Sequence, residues 1–251
     1  MYQFFVEPGA ISEKQVVITG KDVNHIKNVL RMKVGEEIAV SNGVDGREYR
    51  CGILQMTEDA VICELRFIKE DGVELPSKIY LFQGLPKADK MELIIQKAVE
   101  LGVYEIIPVA TKRAVVKLDA KKEKSKLARW QAISEAAAKQ SKRAVVPQVH
   151  SVMSFAQALA YADTLDVRLI PYEMAEDMAK TRSLIEEIRP GQSIGIFIGP
   201  EGGFAPEEIE QAMAHDTQPI TLGKRILRTE TAGMTVLSIL MYTLEGQELK
   251  A

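Results

Sequence analysis

The sequence predicts an α/β protein whose C-terminal domain is a mainly parallel sheet, preceded by a small N-terminal β-barrel. Three observations predict it. From Lys78 onward short apolar runs alternate with helical patterns, which implies a parallel sheet covered by helices on both faces. Within residues 194–236 two strand–loop–helix units follow one another closely, so two loops share the carboxyl edge of one sheet, where open α/β folds bind ligands. Before residue 70, by contrast, the apolar runs are short and are punctuated by Asn42-Gly43 and Asp45-Gly46, the signature of β-hairpins.

Taken in order, the first strands are Gln3-Phe4-Phe5-Val6, Val16-Val17-Ile18, Glu37-Ile38-Ala39-Val40, Glu48 to Leu54 and Ala60 to Phe67. Val61, Cys63, Leu65 and Phe67 alternate with Ile62, Glu64 and Arg66, giving the last strand one buried face. A helix from Asp22 to Met32, with Val23, Ile26, Val29 and Leu30 on its apolar stripe, interrupts them. Asp71-Gly72-Val73-Glu74-Leu75-Pro76 reads as a domain boundary. Beyond it come strand Ile79 to Phe82, a helix from Ala88 to Leu101 stopped by Gly102, and strand Glu105 to Val109. A long helix spans Lys121 to Ser141 with Leu127, Trp130, Ile133 and Ala137 inward. Helices Ser154 to Ala162 and Thr181 to Ile188 then alternate with strands Val167 to Ile170 and Ile194 to Ile198. The last helix, Thr231 to Leu244, is apolar on most sides, which suits the core or a subunit contact.

The chain has 251 residues, 46% hydrophobic and 27% charged, which is ordinary for a globular protein and excludes a disordered one. No apolar run approaches the roughly 18 residues of a membrane span, and MYQFFVEPGA lacks the features of a leader, so a cytoplasmic protein is expected. Cys51 and Cys63 fit neither a redox nor a zinc spacing; both fall on the apolar face of one hairpin, and reduced thiols are expected. With only His25, His150 and His215, far apart, no metal is expected. The net charge of −3 conceals an asymmetry: residues 1–76 carry −4, residues 77–150 carry +8 and residues 151–251 carry −7. A middle third this basic reads as a local patch for a polyanion.

The two C-terminal loops carry the chemistry. In the first, Ile194 to Ile198 leads into Gly199-Pro200-Glu201-Gly202-Gly203 and then Pro206-Glu207-Glu208 at a helix start. Ala205 stands where a capping serine would serve better by about 1 kcal/mol. In the second, Pro219 to Leu222 leads into Gly223-Lys224-Arg225-Ile226-Leu227-Arg228, with Thr229 as the expected helix cap and Glu230 at the positive end of the dipole. There is no GxxxxGK[ST] and no GxGxxG at the right place, so ATP hydrolysis and NAD binding lose support, and no GxSxG elbow suggests a serine nucleophile. A lone glycine turn is usually only a turn; two at adjacent strand ends point to a ligand pocket.

Ile198 to Phe204 (IGPEGGF) and Leu222 to Ala232 (LGKRILRTETA) resemble the two C-terminal motifs of the SPOUT RNA methyltransferases, and within them the bacterial family that methylates N3 of a uridine in small-subunit ribosomal RNA. HIKNVLRMKVGEEI at 25–38, KMELIIQKAVELGV at 90–103 and AAAKQSKRAVVPQV at 136–149 agree, so the resemblance covers nearly the whole chain. It implies a PUA-like RNA-binding barrel over residues 1–72 and a knotted, dimerising methyltransferase domain over 73–251, with a deep trefoil knot and a homodimer. It implies S-adenosylmethionine as cofactor, held by Ile198, Gly199, Gly202, Leu222, Gly223, Ile226 and Leu227 largely through backbone groups, with Pro171-Tyr172-Glu173 as a third wall. Arg228 becomes the candidate for stabilising negative charge on the uracil carbonyls as N3–H is lost. Its plain alternative is an ion pair with Glu201 or Glu230 that holds the loop. Those two carboxylates are the candidate bases. Where members of the family often carry an N-terminal arginine, this chain reads Tyr2-Gln3-Phe4.

The run from Lys112 to Arg143 holds 11 basic and 3 acidic residues and supports an RNA substrate independently of the motifs, while the resemblance implies that this RNA is 16S ribosomal RNA. Lys112, Arg113, Lys117, Lys142 and Arg143 are the candidate phosphate contacts, joined by Arg31 and Lys33 of the barrel; the ordinary fate of such a run is a solvated helix face. Two other functions fit less well. A non-catalytic RNA-binding or ribosome-assembly protein would not need the intact glycine and arginine loops, and a small-molecule enzyme would not need the basic run.

Overall fold

The computed structural model describes residues 1–69, 72–116, 118–175 and 177–245. The chain forms two compact units, Met1–Glu74 with Ala138–Val146, and Leu75–Ala137 with Pro147–Ala251.

In the first unit β1 (Gln3–Phe5), β2 (Gln15–Thr19), β3 (Glu37–Ser41), β4 (Glu48–Met56) and β5 (Ala60–Lys69) form one sheet in the order β1-β3-β4-β5-β2. Only β1 on β3 is parallel. The sheet curls around Val16, Ile18, Ile38, Val40, Ile53 and Val61, all essentially inaccessible to solvent. Register pairs Cys63 with Ile53 and Cys51 with Leu65, so the thiols are not directly opposite. Both are free and buried, and burial pushes them up to about 11 and about 12. Phe67, expected inside, is exposed because β5 there runs past an irregularity in β4 at Arg50/Cys51 and beyond the core. The helix expected over 22–32 is α1 (Lys21–Asn24) followed by a widened π turn over His25–Val29, where the Leu30 N–H reaches the His25 carbonyl at 2.8 Å. Arg31, at φ 52°, ends it.

The second unit runs β6 (Lys78–Gly84), α2 (Lys90–Glu100), β7 (Glu105–Ala110), α3 (Ala120–Gln140), β8 (Gln148–Val149), β9 (Met153–Ser154), α4 (Phe155–Ala162) and β10 (Val167–Pro171). It continues through α5 (Met178–Glu186), β11 (Ser193–Ile198), α6 (Pro206–Ala214), β12 (Gln218–Ile220) and α7 (Thr229–Glu245). The strand order is β12-β10-β11-β6-β7-β8, with β9 also on β7, and every ladder is parallel. Phe82 and Phe197 stack at 4.4 Å in the middle of the core, with Ile107, Leu159 and Ile170 around them. Local chemistry sets the helix starts. Ser154 and Gln157 cap α4 reciprocally. The Asp177 carboxylate accepts the Lys180 N–H at 2.9 Å, which starts α5 three residues before the Thr181 expected from periodicity.

Far from the carboxyl edge, at the start of β7, Glu105 accepts hydrogen bonds from Tyr161 Oη (2.7 Å) and pairs with His150 Nε2 (2.8 Å). Burial alone would raise its pKa, but these two partners prevail and hold the carboxyl below its ordinary 4.5. A carboxyl lowered by folding contributes stability that is complete above the unfolded value and is lost as pH falls through the folded one. The stability of the protein is therefore expected to fall below pH 4.5, and Glu105→Gln should flatten that acid limb in urea denaturation measured from pH 3 to 7.

Candidate active site

Because β12, β10, β11 and β6 are neighbours and all parallel, their carboxyl ends deliver Leu222-Gly223, Pro171-Tyr172, Ile198-Gly199 and Gly84-Leu85 to one edge. The Tyr172 N–H donates to the Ile220 carbonyl at 3.0 Å and ties the first two of these segments together. Ile198 is buried, and the turn after it closes on itself: the Gly203 N–H donates to the Pro200 carbonyl at 2.9 Å. A Cβ on Gly199 would lie 3.1 Å from the Gly203 backbone, so only glycine fits there without a shift. Gly223 is the opposite case. Its φ of 105° excludes ordinary side chains, yet a Cβ there would meet nothing within 4 Å, leaving bare backbone facing open space. Gly202 is exposed, Leu222 and Leu227 are half-buried, and the Ile226 side chain is 89% exposed, so its part in any pocket falls to its backbone.

The charged residues sort themselves around Lys90, the first residue of α2. Its ammonium lies 3.1 Å from Glu201 Oε1 and 3.4 Å from Glu230 Oε2, and the Lys87 N–H also donates to Glu201 at 3.1 Å. Burial raises the Glu201 carboxyl, but its own backbone N–H, Lys90 and the Lys87 N–H outweigh that and hold it below its ordinary value. Glu230 Oε2 is buried and has no hydrogen-bond donor in good geometry. Arg228 is exposed and, among the described residues, its guanidinium has neither an ion pair nor a hydrogen bond. The ion pair with Glu201 or Glu230 is not formed; both carboxylates face Lys90 instead. The Arg228 carbonyl accepts the Ala232 N–H at 2.8 Å, which makes Arg228 the N-cap of α7. Thr229, expected as that cap, directs its hydroxyl elsewhere, to the Gly199 carbonyl at 2.6 Å.

The candidate RNA contacts separate into different classes. Lys112 and Arg113 follow β7 directly; Lys112 Nζ pairs with Glu207 at 2.8 Å on the surface, and Arg113 Nη1 donates to the Gly202 carbonyl at 3.0 Å. Glu208, buried, fixes this loop to the glycine loop: Oε1 accepts the Lys112 N–H and Oε2 the Ala205 N–H, both at 2.8 Å. That is half of a capping box, and Ala205 has no side-chain oxygen to supply the other half. In the first unit Arg31, Lys33 and Lys142 are exposed. Arg143 is a correction. It is 3% exposed and its guanidinium grips Glu74 through Nε and Nη2, because the end of α3 is folded into that unit; it is a structural cation with no face for phosphate. The Gln3 amide of the Tyr2-Gln3-Phe4 segment is likewise used internally, on the Arg143 carbonyl and Ser41 Oγ. Lys117 lies outside the described residues. No group of His, Cys, Asp and Glu able to hold a metal occurs among the described residues.

Sequence reasoning missed Lys90, Glu208 and Gln83. Lys90 did leave a signal: a lysine in the first turn opposes the helix dipole, so something else must favour it there. Glu208 was visible as an acid three residues into a helix. Gln83 showed only as a polar residue closing an apolar strand.

The sequence profile of the RNA methyltransferase domain matches residues 73–241, and that of the RNA methyltransferase PUA domain matches residues 18–66. The chain is 39% identical to ribosomal RNA small subunit methyltransferase E of Bacillus subtilis, covering 98% of both chains. It is 37% identical to the protein of that name from Mesomycoplasma hyopneumoniae, covering 95% of this chain and 98% of the other. Ribosomal RNA small subunit methyltransferase E of Neisseria gonorrhoeae, solved bound to S-adenosyl methionine, superposes with a TM-score of 0.81 at 31% identity, covering 96% of this chain and 97% of that one.

Glu208→Ala leaves two backbone N–H groups unpaired and should destabilise the protein by about 2 kcal/mol. Ala205→Ser restores the missing cap and should stabilise it by about 1 kcal/mol. Chemical denaturation of the two variants reads both signs.

Proposed function

This chain belongs to the ribosomal RNA small subunit methyltransferase E family, and we propose that it transfers a methyl group from S-adenosylmethionine to N3 of a uridine in small-subunit ribosomal RNA. It is an S-adenosylmethionine-dependent ribosomal RNA methyltransferase. The observation that carries the finer reading is Arg228, a guanidinium with no ion pair among the described residues, at a helix start beside the glycine turns, with both neighbouring carboxylates turned to Lys90.

The strand ends fit the cofactor. Gly223 presents open backbone, and the Gly199 turn offers its edge beside Tyr172 and Leu222, which suits a nucleoside recognised largely through main-chain groups. Bound there, S-adenosylmethionine supplies an electrophilic methyl group on a sulfonium. The protein's task is then alignment of N3 with that methyl and stabilisation of charge. As N3–H is lost, negative charge spreads to the flanking uracil carbonyls, and Arg228 is the group free to meet it. Glu201 and Glu230, both facing Lys90, are the two carboxylates placed to take the proton. No metal is required.

We assign phosphate binding to Lys112 and Arg113 in the second unit and to Arg31, Lys33 and Lys142 in the first, with residues 1–72 as the PUA-like RNA-binding domain, to which Ala138–Val146 folds back, and the rest of 73–251 as the catalytic one. The deep trefoil knot belongs to this reading: the chain leaves β12 at one edge of the sheet, returns to β11 where Thr229 bonds Gly199, and α7 then packs on α2. So does a homodimer, since α7 exposes Tyr242 at 82% and Ile239 at 37% one turn apart. The enzyme works on cytoplasmic ribosomal RNA.

Labelled S-adenosylmethionine with small-subunit RNA from a strain lacking the enzyme should yield N3-methyluridine; methylation of another base would refute the assignment. Arg228→Ala should cut transfer by about 100-fold while cofactor affinity, measured by calorimetry, changes only a few-fold. Equal losses in both would make it structural. Reversing Lys112 and Arg113 to Glu should lower the dependence of RNA affinity on salt by about 2 in log–log slope, and an unchanged slope would remove the loop from the RNA site.

A further inference from the structure

Gln83 is the last but one residue of β6, fully buried, and no role above uses it. One proton of its amide goes to the Gly84 carbonyl and the other to Thr229 Oγ1, each at 2.9 Å. The Thr229 hydroxyl in turn donates to the Gly199 carbonyl at 2.6 Å. The direction of this relay is fixed by valence. The threonine has one proton and gives it to a carbonyl, so it must accept from Gln83, and the glutamine must present nitrogen. Its Oε1 is consequently left buried without a partner. An orphaned buried acceptor is costly, and proteins retain such atoms where a site demands a particular orientation.

The relay joins three segments distant in sequence: the end of β6, the turn after β11 and the start of α7. Thr229 directly follows Arg228, and among the described residues no partner holds the Arg228 side chain. What places Arg228 is its backbone, as N-cap of α7, and that start is moored to the glycine turn by the Thr229 hydroxyl.

We propose that Gln83 and Thr229 are positioning residues for methyl transfer: through their hydrogen-bonded relay to the Gly199 carbonyl they set the guanidinium of Arg228 against the cofactor turn. This rests on the catalytic role assigned to Arg228. Neither residue touches the reacting atoms, and both act through the backbone of residue 228. Misplacement of a charge-stabilising group by an ångström costs rate much more than ground-state binding.

The test is a double-mutant cycle on single-turnover transfer to small-subunit ribosomal RNA, with cofactor affinity measured by calorimetry for each protein. The wild type must first bind the cofactor and transfer; failure there would strike the proposed function, not the relay. Thr229→Val keeps the shape and removes both hydrogen bonds, and Gln83→Met keeps the volume and removes the amide. Each should slow transfer at least 10-fold while changing cofactor affinity less than 3-fold. In an Arg228→Ala background each should slow it less than 2-fold further, because the residue they act through is gone. Thr229→Ser, which retains the hydroxyl, should stay within 3-fold of the wild type. Full additivity with Arg228→Ala, or loss of cofactor affinity in step with rate in both single variants, would overturn the proposal.

Discussion

The site depends on one constraint, the parallel alignment of four neighbouring strands. A parallel strand pair must be joined by a crossover, so each of β6, β10, β11 and β12 ends at the same edge and hands its chain to a loop there. Backbone groups beyond the last ladder bond have no strand partner, and an edge built from four such ends gathers unpaired polar groups over an apolar floor. The stacked pair Phe82 and Phe197 lies within that floor and belongs to β6 and β11, the central two of the six strands in the order β12-β10-β11-β6-β7-β8. A misregistered β11 would turn Phe197 out of the core and Ile198 out of the site together, because the side-chain period is two. Fold and site are thus specified by the same residues.

Electrostatics then decides which groups are free to act. Glu201 and Glu230, one from each C-terminal loop, both face a single lysine from α2, more than a hundred residues earlier. The effect is to leave the guanidinium of Arg228 available. The same selection operates on the basic run. Arg143 is withdrawn by Glu74, Arg129 by Glu92, and Lys112 is shared with Glu207 on the surface. Excess charge in a sequence is therefore an upper bound on the charge a surface can offer a polyanion, and pairing in three dimensions subtracts from it.

The strands and helices were legible because hydrophobic periods of 2 and 3.6 are local, and so were the two glycine turns, whose residue types are demanded by backbone alone. What periodicity cannot carry is a pairing across the chain. Gln83 with Thr229 and Lys112 with Glu208 span 146 and 96 residues, and each is invisible to any window of the sequence. β8 and β9, two residues each, offered too few positions for a pattern. The π turn after α1 escaped for a different reason: its apolar residues keep a helical spacing while the hydrogen bonds lengthen by one residue. Phe67 kept the alternation but outran the core that gives alternation its meaning.

Three buried polar atoms without hydrogen-bond partners, Gln83 Oε1, Thr111 Oγ1 and Glu230 Oε2, belong to the segments at the carboxyl ends of β6 and β7 and to the start of α7. Gln83 Oε1 and Thr111 Oγ1 each cost about 1–3 kcal/mol, whereas Glu230 Oε2 keeps the Lys90 ammonium at 3.4 Å. The core beneath, made of Ile, Leu, Val and Phe, supplies the offset. An apolar replacement at Gln83 or Thr111 would relieve the strain locally. Stability is concentrated in the lower part of the sheet and specificity at its carboxyl edge, and the protein tolerates the second because the first is in surplus.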